Sequence, residues 1–368
     1  MKLIFAGGGT GGHLFPALAL AEEFKRLDPS TEVVFAGAMG GLEEKVVPGY
    51  GYRLKLLSVE GIKRRKGIKR IKAVLKAAGA VIDAIRFIRG ERPDGVIGSG
   101  SYSSAPVVFA ARLLGIKTAI IEQNALPGLT NRLLGKMVGR VYISFEESRG
   151  FFPGGRTILT GNPVRRKVLD SARERTDRSE RFTILVFGGS QGATAINAAF
   201  LDATEYLTGI WPGLRVVHQT GVDGYEQVVS AYKRKGLKAE VHAFIEDMGT
   251  AYATADLVIC RAGATSIAEI TALALPSILI PYPFASDDHQ TLNARSLGQA
   301  GAAVVIRQDK LTGATLADAI RSLVQGPKEL AAMKEKAMCF GRPAAAGMIA
   351  ENFLKMIKRP EKAAIKGR

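Results

Sequence analysis

Residues 2–27 read KLIFAGGGTGGHLFPALALAEEFKRL. A short apolar run is followed by a glycine-rich turn, and the turn by a segment whose apolar residues recur at helical spacing. That order is strand, tight turn, helix, the opening half of a βαβ unit. Gly7, Gly9 and Gly12 also satisfy G-x-G-x-x-G, the spacing that brings a dinucleotide pyrophosphate onto a helix N-terminus. The next strand tests that match. EVVFAGA, 32–38, ends in Ala36-Gly37-Ala38, with no acid there for ribose hydroxyls and no Arg or Lys for a 2′-phosphate. Glu32 stands at the start of that strand, on the wrong edge of the sheet. A nicotinamide enzyme is therefore disfavoured. The turn instead leads into His13, an ionisable ring where the chain enters a helix, able to serve as a general base or to bond a carbonyl there. Thr10 adds a hydroxyl.

The same plan recurs outward from this stretch. DGVIGSGSYSS leads into APVVFAARLLG, and TAIIEQN and VYISF follow. GNPVRRKVLDSARERTDRSER, 161–181, is charged and poor in large apolar groups, as a linker is. Then FTILVFGGSQGATAINAAFL, 182–201, repeats the opening design, and LRVVHQTG, KAEVHAFI, ADLVICRAGATS, SILIPYP and AAVVI continue as strands. The expectation is an α/β protein of two Rossmann-like, doubly wound domains facing a cleft, with ligands at the carboxyl ends of the strands. The boundaries read 1–162 for the first domain and 163–342 for the second. A helix at 343–358 returns to the first domain, and 359–368 forms a basic tail.

Among 368 residues, Lys and Arg number 51 against 34 Asp and Glu, a net charge of +17, which calls for an anionic partner. The two cysteines, Cys260 and Cys339, lack metal-like spacing and fit a reducing cytoplasm. The opening apolar run is too short for a signal peptide, and no stretch is apolar for long enough to span a bilayer. No D-x-D occurs, which disfavours a diphosphate clamped through a metal on paired aspartates, so no metal or cofactor is expected.

Several polar positions in the second half have two readings each. Ser190, in FGGSQGA, caps a helix or meets a phosphate. In CRAGATSIAEI, 260–270, Arg261 and the following turn suit a diphosphate. Glu269 suits a ribose there, or closes a capping box with Ser266. In PYPFASDDHQTLNA, 281–294, Gln290 and Asn293 share a helix face and suit sugar hydroxyls, while Asp287 and Gln290 have capping-box spacing. KRRKGIKRIK, 63–72, holds seven basic residues and no acid. Ile62, Lys63, Arg64, Arg65, Lys66, Ile68, Lys69, Arg70, Ile71 and Lys72 together suit an anionic membrane surface, or a solvated loop running into a core-facing helix. No nucleic-acid-binding motif accompanies them. The rival classes are a basic binding protein without catalysis and an NAD(P) reductase.

GGGTGGHLFPALALA, EQNALPGLTNRLL, TGNPVRRKV, FGGSQGA, FIEDMGTAYATADLVICRAGATSIAEI and DDHQTLNA occur in this order over residues 1 to 355. Together they closely resemble the MurG family of bacterial peptidoglycan N-acetylglucosaminyltransferases, of GT-B fold. Related GT-B enzymes that glycosylate diacylglycerol share only parts of the set. The resemblance implies inverting transfer of GlcNAc from UDP-GlcNAc to the C4 hydroxyl of MurNAc in lipid I, giving lipid II and UDP. It implies a peripheral protein on the cytoplasmic face of the plasma (inner) membrane, with other cell-wall synthesis proteins as partners. His13 and Thr10 become the catalytic candidates, and Gly9, His13, Tyr102 and Ser103 the acceptor side. Thr10, Gly11, Gly12, Arg165 and Ser190 are placed on the donor's sugar and diphosphate, and Asn124 on the sugar hydroxyls or the acceptor. Phe244 and Ile245 frame the uracil, and Arg261, Ala264, Thr265 and Ser266 hold the diphosphate end. Glu269 takes the ribose, and His289, Gln290 and Asn293 take GlcNAc. His289 departs from a glutamine common in the family, and the GSGSYSSAPVVFAAR stretch is poorer in glycine than usual.

Overall fold

The computed structural model describes residues 1–59, 68–173, 181–189 and 191–358, with the side chains of 68–77 and 172–173 outside the description. The chain forms two compact units, Met1–Pro163 with Ala344–Arg368, and Val164–Pro343.

The first unit is built on a parallel sheet of seven strands: β1 (Lys2–Ala6), β2 (Glu32–Ala38), β3 (Arg53–Leu57), β4 (Gly95–Gly98), β5 (Lys117–Glu122), β6 (Arg140–Ile143) and β7 (Thr157–Leu159). Their order is β3-β2-β1-β4-β5-β6-β7, so the winding reverses between β1 and β4. The apolar run of β1 is continuous because both its faces are covered. Leu3 and Phe5 pack with Leu14, Leu18 and Phe24 of the helix Gly11–Leu27. Ile4 and Ala6 point the other way, to Ala84, Ile88, Val107 and Val108. The helix Ala345–Lys358 joins the first of these layers through Ile349, Ala350 and Phe353. Phe24 meets Phe353 edge-on at 6.2 Å and Phe5 at 6.1 Å, and Tyr142 Oη donates to Asn352 Oδ1 at 3.0 Å.

The second unit repeats the plan with β8 (Phe182–Phe187), β9 (Leu214–Gln219), β10 (Glu240–His242), β11 (Leu257–Cys260), β12 (Ser277–Leu279) and β13 (Val304–Val305). All pairings are parallel, in the order β10-β9-β8-β11-β12-β13, and the reversal falls between β8 and β11. Ile184 and Val186 pack with Ile196 and Phe200 of the helix Thr194–Tyr206 and with Leu316 and Ile320 of the helix Gly313–Gln325. Inside this layer His218 is fully buried, with Nδ1 3.1 Å from Tyr232 Oη and Nε2 3.2 Å from Asn197 Oδ1.

At each reversal point two loops leave neighbouring strands in opposite directions and open a crevice at the strands' carboxyl ends. In the first unit these are the turns after β1 and β4; in the second, the turns after β8 and β11. The glycine-rich and polar motifs therefore stand where a doubly wound sheet binds ligands.

Candidate active site

In the first unit His13 lies in the opening turn of its helix, and its backbone N–H donates to Thr10 O at 3.2 Å. Its Nδ1 is 2.9 Å from the carbonyl oxygen of Ser99, in the turn after β4, and 3.2 Å from Gln123 Oε1. The Nε2 of Gln123, a buried side chain, donates to the same carbonyl at 2.8 Å. A carbonyl only accepts, so Nδ1 carries a hydrogen, and the lone pair of the neutral ring lies on Nε2. The structure thus shows the carbonyl-bonded reading of His13 directly, and that bond fixes the neutral ring's hydrogen on Nδ1.

The other motif residues of this unit have contacts of their own. Asn124 donates from its backbone N and its Nδ2 to Glu122 Oε1, at 2.9 and 3.3 Å, while Asn131 Nδ2 donates to Glu122 Oε2 at 2.8 Å. Burial pushes the Glu122 carboxyl up, and these bonds pull it back. A methyl group on Gly100 would stand 3.0 Å from the His13 ring and 3.3 Å from Asn131 Nδ2, so both side chains flank one residue. Ser103 is buried and shares a 2.7 Å hydrogen bond with Ser101, whereas Tyr102 is exposed. Thr10 is the exposed N-cap of its helix, with no side-chain cap bond; Gly11, the first helical residue, lies against the Phe15 ring, and Gly12 follows it in the first turn. The amide of Gly9 is engaged inside the protein, on Glu43 Oε2 at 2.6 Å.

In the second unit Glu269 is buried on the helix Ala264–Ala272. Its Oε1 accepts from Arg165 Nη2 at 3.3 Å and its Oε2 from Tyr252 Oη at 3.0 Å. Burial raises its pKa, while the Arg165 charge and both hydrogen bonds oppose the rise. The capping-box alternative is not what the structure shows: Gly263 is the N-cap and no side chain caps the helix. Next to this cap Ala264 is buried, Ser266 is half-buried, and Thr265 Oγ1 is buried without a hydrogen-bond partner. Arg261 is turned onto strand ends: Nη2 donates to Gln308 Oε1 at 2.7 Å, Nη1 reaches Ile280 O and Pro281 O at 3.3 Å each, and the guanidinium stacks on Tyr282.

Gln219, which sequence reasoning did not single out, joins two motif loops. Its Nε2 donates to Gly189 O at 2.9 Å and its Oε1 accepts from Ile245 N at 2.8 Å. Its signal was a polar residue closing the apolar strand LRVVHQ. The turn it grips is glycine by necessity at Gly192, where φ is +77° and a methyl group would meet Thr220 O at 2.0 Å. Phe244 is exposed beside Ile245. Gln290 Oε1 accepts from Tyr282 N at 2.9 Å, His289 Nδ1 lies 2.8 Å from Ser286 O, and Asn293 is buried. Here too the capping-box spacing is not used: Asp288 is the N-cap, left-handed and without a side-chain cap bond.

Ser190, Ile62, Lys63, Arg64, Arg65, Lys66 and the tail 359–368 lie outside the described residues. Ile68, Lys69, Arg70, Ile71 and Lys72 begin the helix Ile68–Glu91, their side chains outside the description. Among the described residues no helix is long and apolar enough to cross a membrane, and no group of three or more His, Cys, Asp or Glu is placed to hold a metal ion.

With this geometry in hand, comparison with known proteins gives a consistent answer. Residues 3–143 match the glycosyltransferase family 28 N-terminal domain, and residues 183–351 the glycosyltransferase family 28 C-terminal domain. The UDP-N-acetylglucosamine–N-acetylmuramyl-(pentapeptide) pyrophosphoryl-undecaprenol N-acetylglucosamine transferase of Myxococcus xanthus is 50% identical over 95% of this chain and 92% of its own length. The protein of the same name from Syntrophus aciditrophicus is 49% identical over 97% of this chain and 99% of its own. A crystal structure of MurG from Acinetobacter baumannii superposes with a TM-score of 0.78 at 30% identity, covering 96% of this chain and 99% of that one.

Proposed function

The chain belongs to glycosyltransferase family 28, and on that premise we propose that it transfers GlcNAc from UDP-GlcNAc to the C4 hydroxyl of MurNAc in lipid I, releasing UDP and lipid II. What carries the reading is the likeness, through both units, to transferases whose names state this reaction.

The residues support a division of labour. The second unit holds the donor. Glu269, oriented by Arg165 and Tyr252, accepts the ribose hydroxyls; Ile245 and Phe244 meet the uracil. The helix N-terminus at Ala264–Ser266 faces the diphosphate, and the unpartnered Thr265 hydroxyl finds an acceptor there. Ser190 and Arg261 add to the diphosphate contacts, and His289, Gln290 and Asn293 to the sugar.

The first unit supplies the acceptor surface, with Gly9, Tyr102 and Ser103, and the base. Thr10, Gly11, Gly12 and Asn124 meet the sugar end of the donor. Inversion is a single displacement: the acceptor oxygen attacks the anomeric carbon, the bond to UDP breaks, and His13 Nε2 takes the acceptor's proton. Positive charge and amide dipoles near the diphosphate stabilise the departing UDP.

The acceptor is lipid-linked, so the protein works at the cytoplasmic face of the inner membrane. The basic run 63–72 supports that placement, each basic residue near an anionic surface contributing about 1 kcal/mol. Neutralising the run should weaken binding to anionic vesicles and spare UDP binding; unchanged vesicle binding removes the run from the membrane contact. The reaction is tested by GlcNAc transfer to a lipid I analogue. Transfer to diacylglycerol in its place, or thermal stabilisation by NAD(P) and not by UDP, overturns the assignment.

A further inference from the structure

Glu43 is a carboxyl group with no part in the chemistry above, and its setting is unusual. It sits on the short helix Leu42–Val46, just past the end of β2, and is fully buried. Its Oε2 accepts from Gly9 N at 2.6 Å and its Oε1 from Ala38 N at 2.8 Å. Both oxygens accept from backbone amides, the arrangement an ionised carboxylate offers. Three glycines clear the space for it: a methyl group on Gly8 would come within 2.3 Å of the carboxyl group, and one on Gly37 or Gly41 within 2.4 Å of the side chain. Gly8 adds a φ of +150°, which a side chain rarely adopts.

A glycine-rich turn between a strand and a helix points amides at an anion, ordinarily one that a ligand brings. Here the protein brings its own. We propose that Glu43 is a positioning residue, an internal anion that takes the place of a ligand phosphate in the first glycine-rich turn and sets Thr10 and His13 before substrate arrives. The path is short: Gly9 is held by Glu43, and Thr10, the next residue, receives the backbone N–H bonds of His13 and Leu14 at 3.2 and 3.1 Å. The acid that a dinucleotide fold would turn toward ribose is thus present near the second strand but spent on the turn itself. The same contact denies Gly9 N–H to the phosphate of any nucleotide. The inference rests on His13 being the base of the proposed transfer.

The test compares Glu43→Gln and Glu43→Ala with the wild-type protein. In Glu43→Gln an amide NH2 confronts a backbone N–H, and kcat should fall on the order of 100-fold, the scale of a misplaced catalytic group. Stabilisation by UDP, a property of the second unit, should persist. In Glu43→Ala added formate or acetate should refill the space and restore turnover, whereas chloride at equal ionic strength should not. The 15N signals of the His13 ring give a readout without turnover. They should change in both variants and return with formate in Glu43→Ala. Wild-type kcat and unaltered ring signals in Glu43→Gln overturn the proposal, as does a loss that formate leaves untouched in both turnover and ring signals. Absence of transfer by the wild-type protein strikes at the proposed reaction instead, and the ring signals still decide the role of Glu43.

Discussion

Tyr252→Phe removes one hydroxyl from the interior of the second unit and leaves the ring. That ring is 1% exposed and lies edge-on to Phe187 at 6.1 Å, so its packing survives the change. What goes is the 3.0 Å bond to Glu269 Oε2. A hydrogen bond to a buried charged acceptor contributes about 1.5–3 kcal/mol. For a unit of the size of Val164–Pro343, at roughly 2–4 °C per kcal/mol, Tm should fall by about 3–12 °C. The pH dependence carries more information. Burial raises the Glu269 pKa, and the Tyr252 bond is among the groups that hold it down. A carboxyl raised in the folded state contributes stability below its unfolded pKa and loses it as pH rises through the folded value. The deficit of Tyr252→Phe should therefore be largest at neutral pH and shrink on acidification. Donor binding should respond in the opposite sense. If Glu269 binds the ribose as proposed, the hydroxyls need the ionised carboxylate, and the acid limb of UDP affinity should move to higher pH. Calorimetry across roughly pH 5–8, with and without UDP, reads both effects. A wild-type Tm together with an unmoved acid limb would refute the idea that Tyr252 tunes Glu269.

Other expectations follow from single contacts. His13→Asn should lower kcat by about 10²–10⁴-fold while leaving UDP-induced stabilisation intact; near-normal turnover would exclude His13 as the base. Burial lowers the His218 pKa to about 3 from 6.5, so the unfolded chain binds the extra proton. Stability should then fall as pH drops below about 6.5, by up to roughly 1.4 kcal/mol per pH unit. Urea unfolding of wild type and His218→Gln at two pH values should show that slope in the first only, and parallel slopes would refute it. Phe353→Ala empties a fully buried site and should cost the first unit about 3–5 kcal/mol; a stability loss confined to the second unit's transition would contradict the assignment of this helix.

Much of the scaffold was legible because burial on both faces leaves a plain mark. KLIFA, EVVFAGA, FTILVF and LVIC are near-continuous apolar runs, and each is a strand of a parallel sheet. The family was legible from the order of six motifs, since their combination is far more restrictive than any one glycine turn. The partners of the motif residues were not legible, because they come from distant parts of the chain. The tautomer of His13 depends on the carbonyl of Ser99 and the amide of Gln123, brought close only by the pairing of neighbouring strands. The two capping-box spacings misled for a local reason: neither Ser266 nor Asp287 is the residue at which its helix begins. Glu43 went unseen because an acid was sought at the end of β2, whereas the chain first turns through Gly40 and Gly41 and then sends the side chain back. The glycines at 37, 40 and 41 were the available signal.

The helix Ala345–Lys358 completes the layer formed by Phe5, Leu18 and Phe24. In time this means that the half of the molecule made first is finished last. Val164–Pro343 is continuous in the chain and can fold as it leaves the ribosome. At 5–20 residues per second, its synthesis occupies roughly 10–40 s. Through that interval the earlier half carries an uncovered apolar groove, a surface for chaperones to shield. A premature stop within the final helix would spare the later-made half and cripple the earlier one.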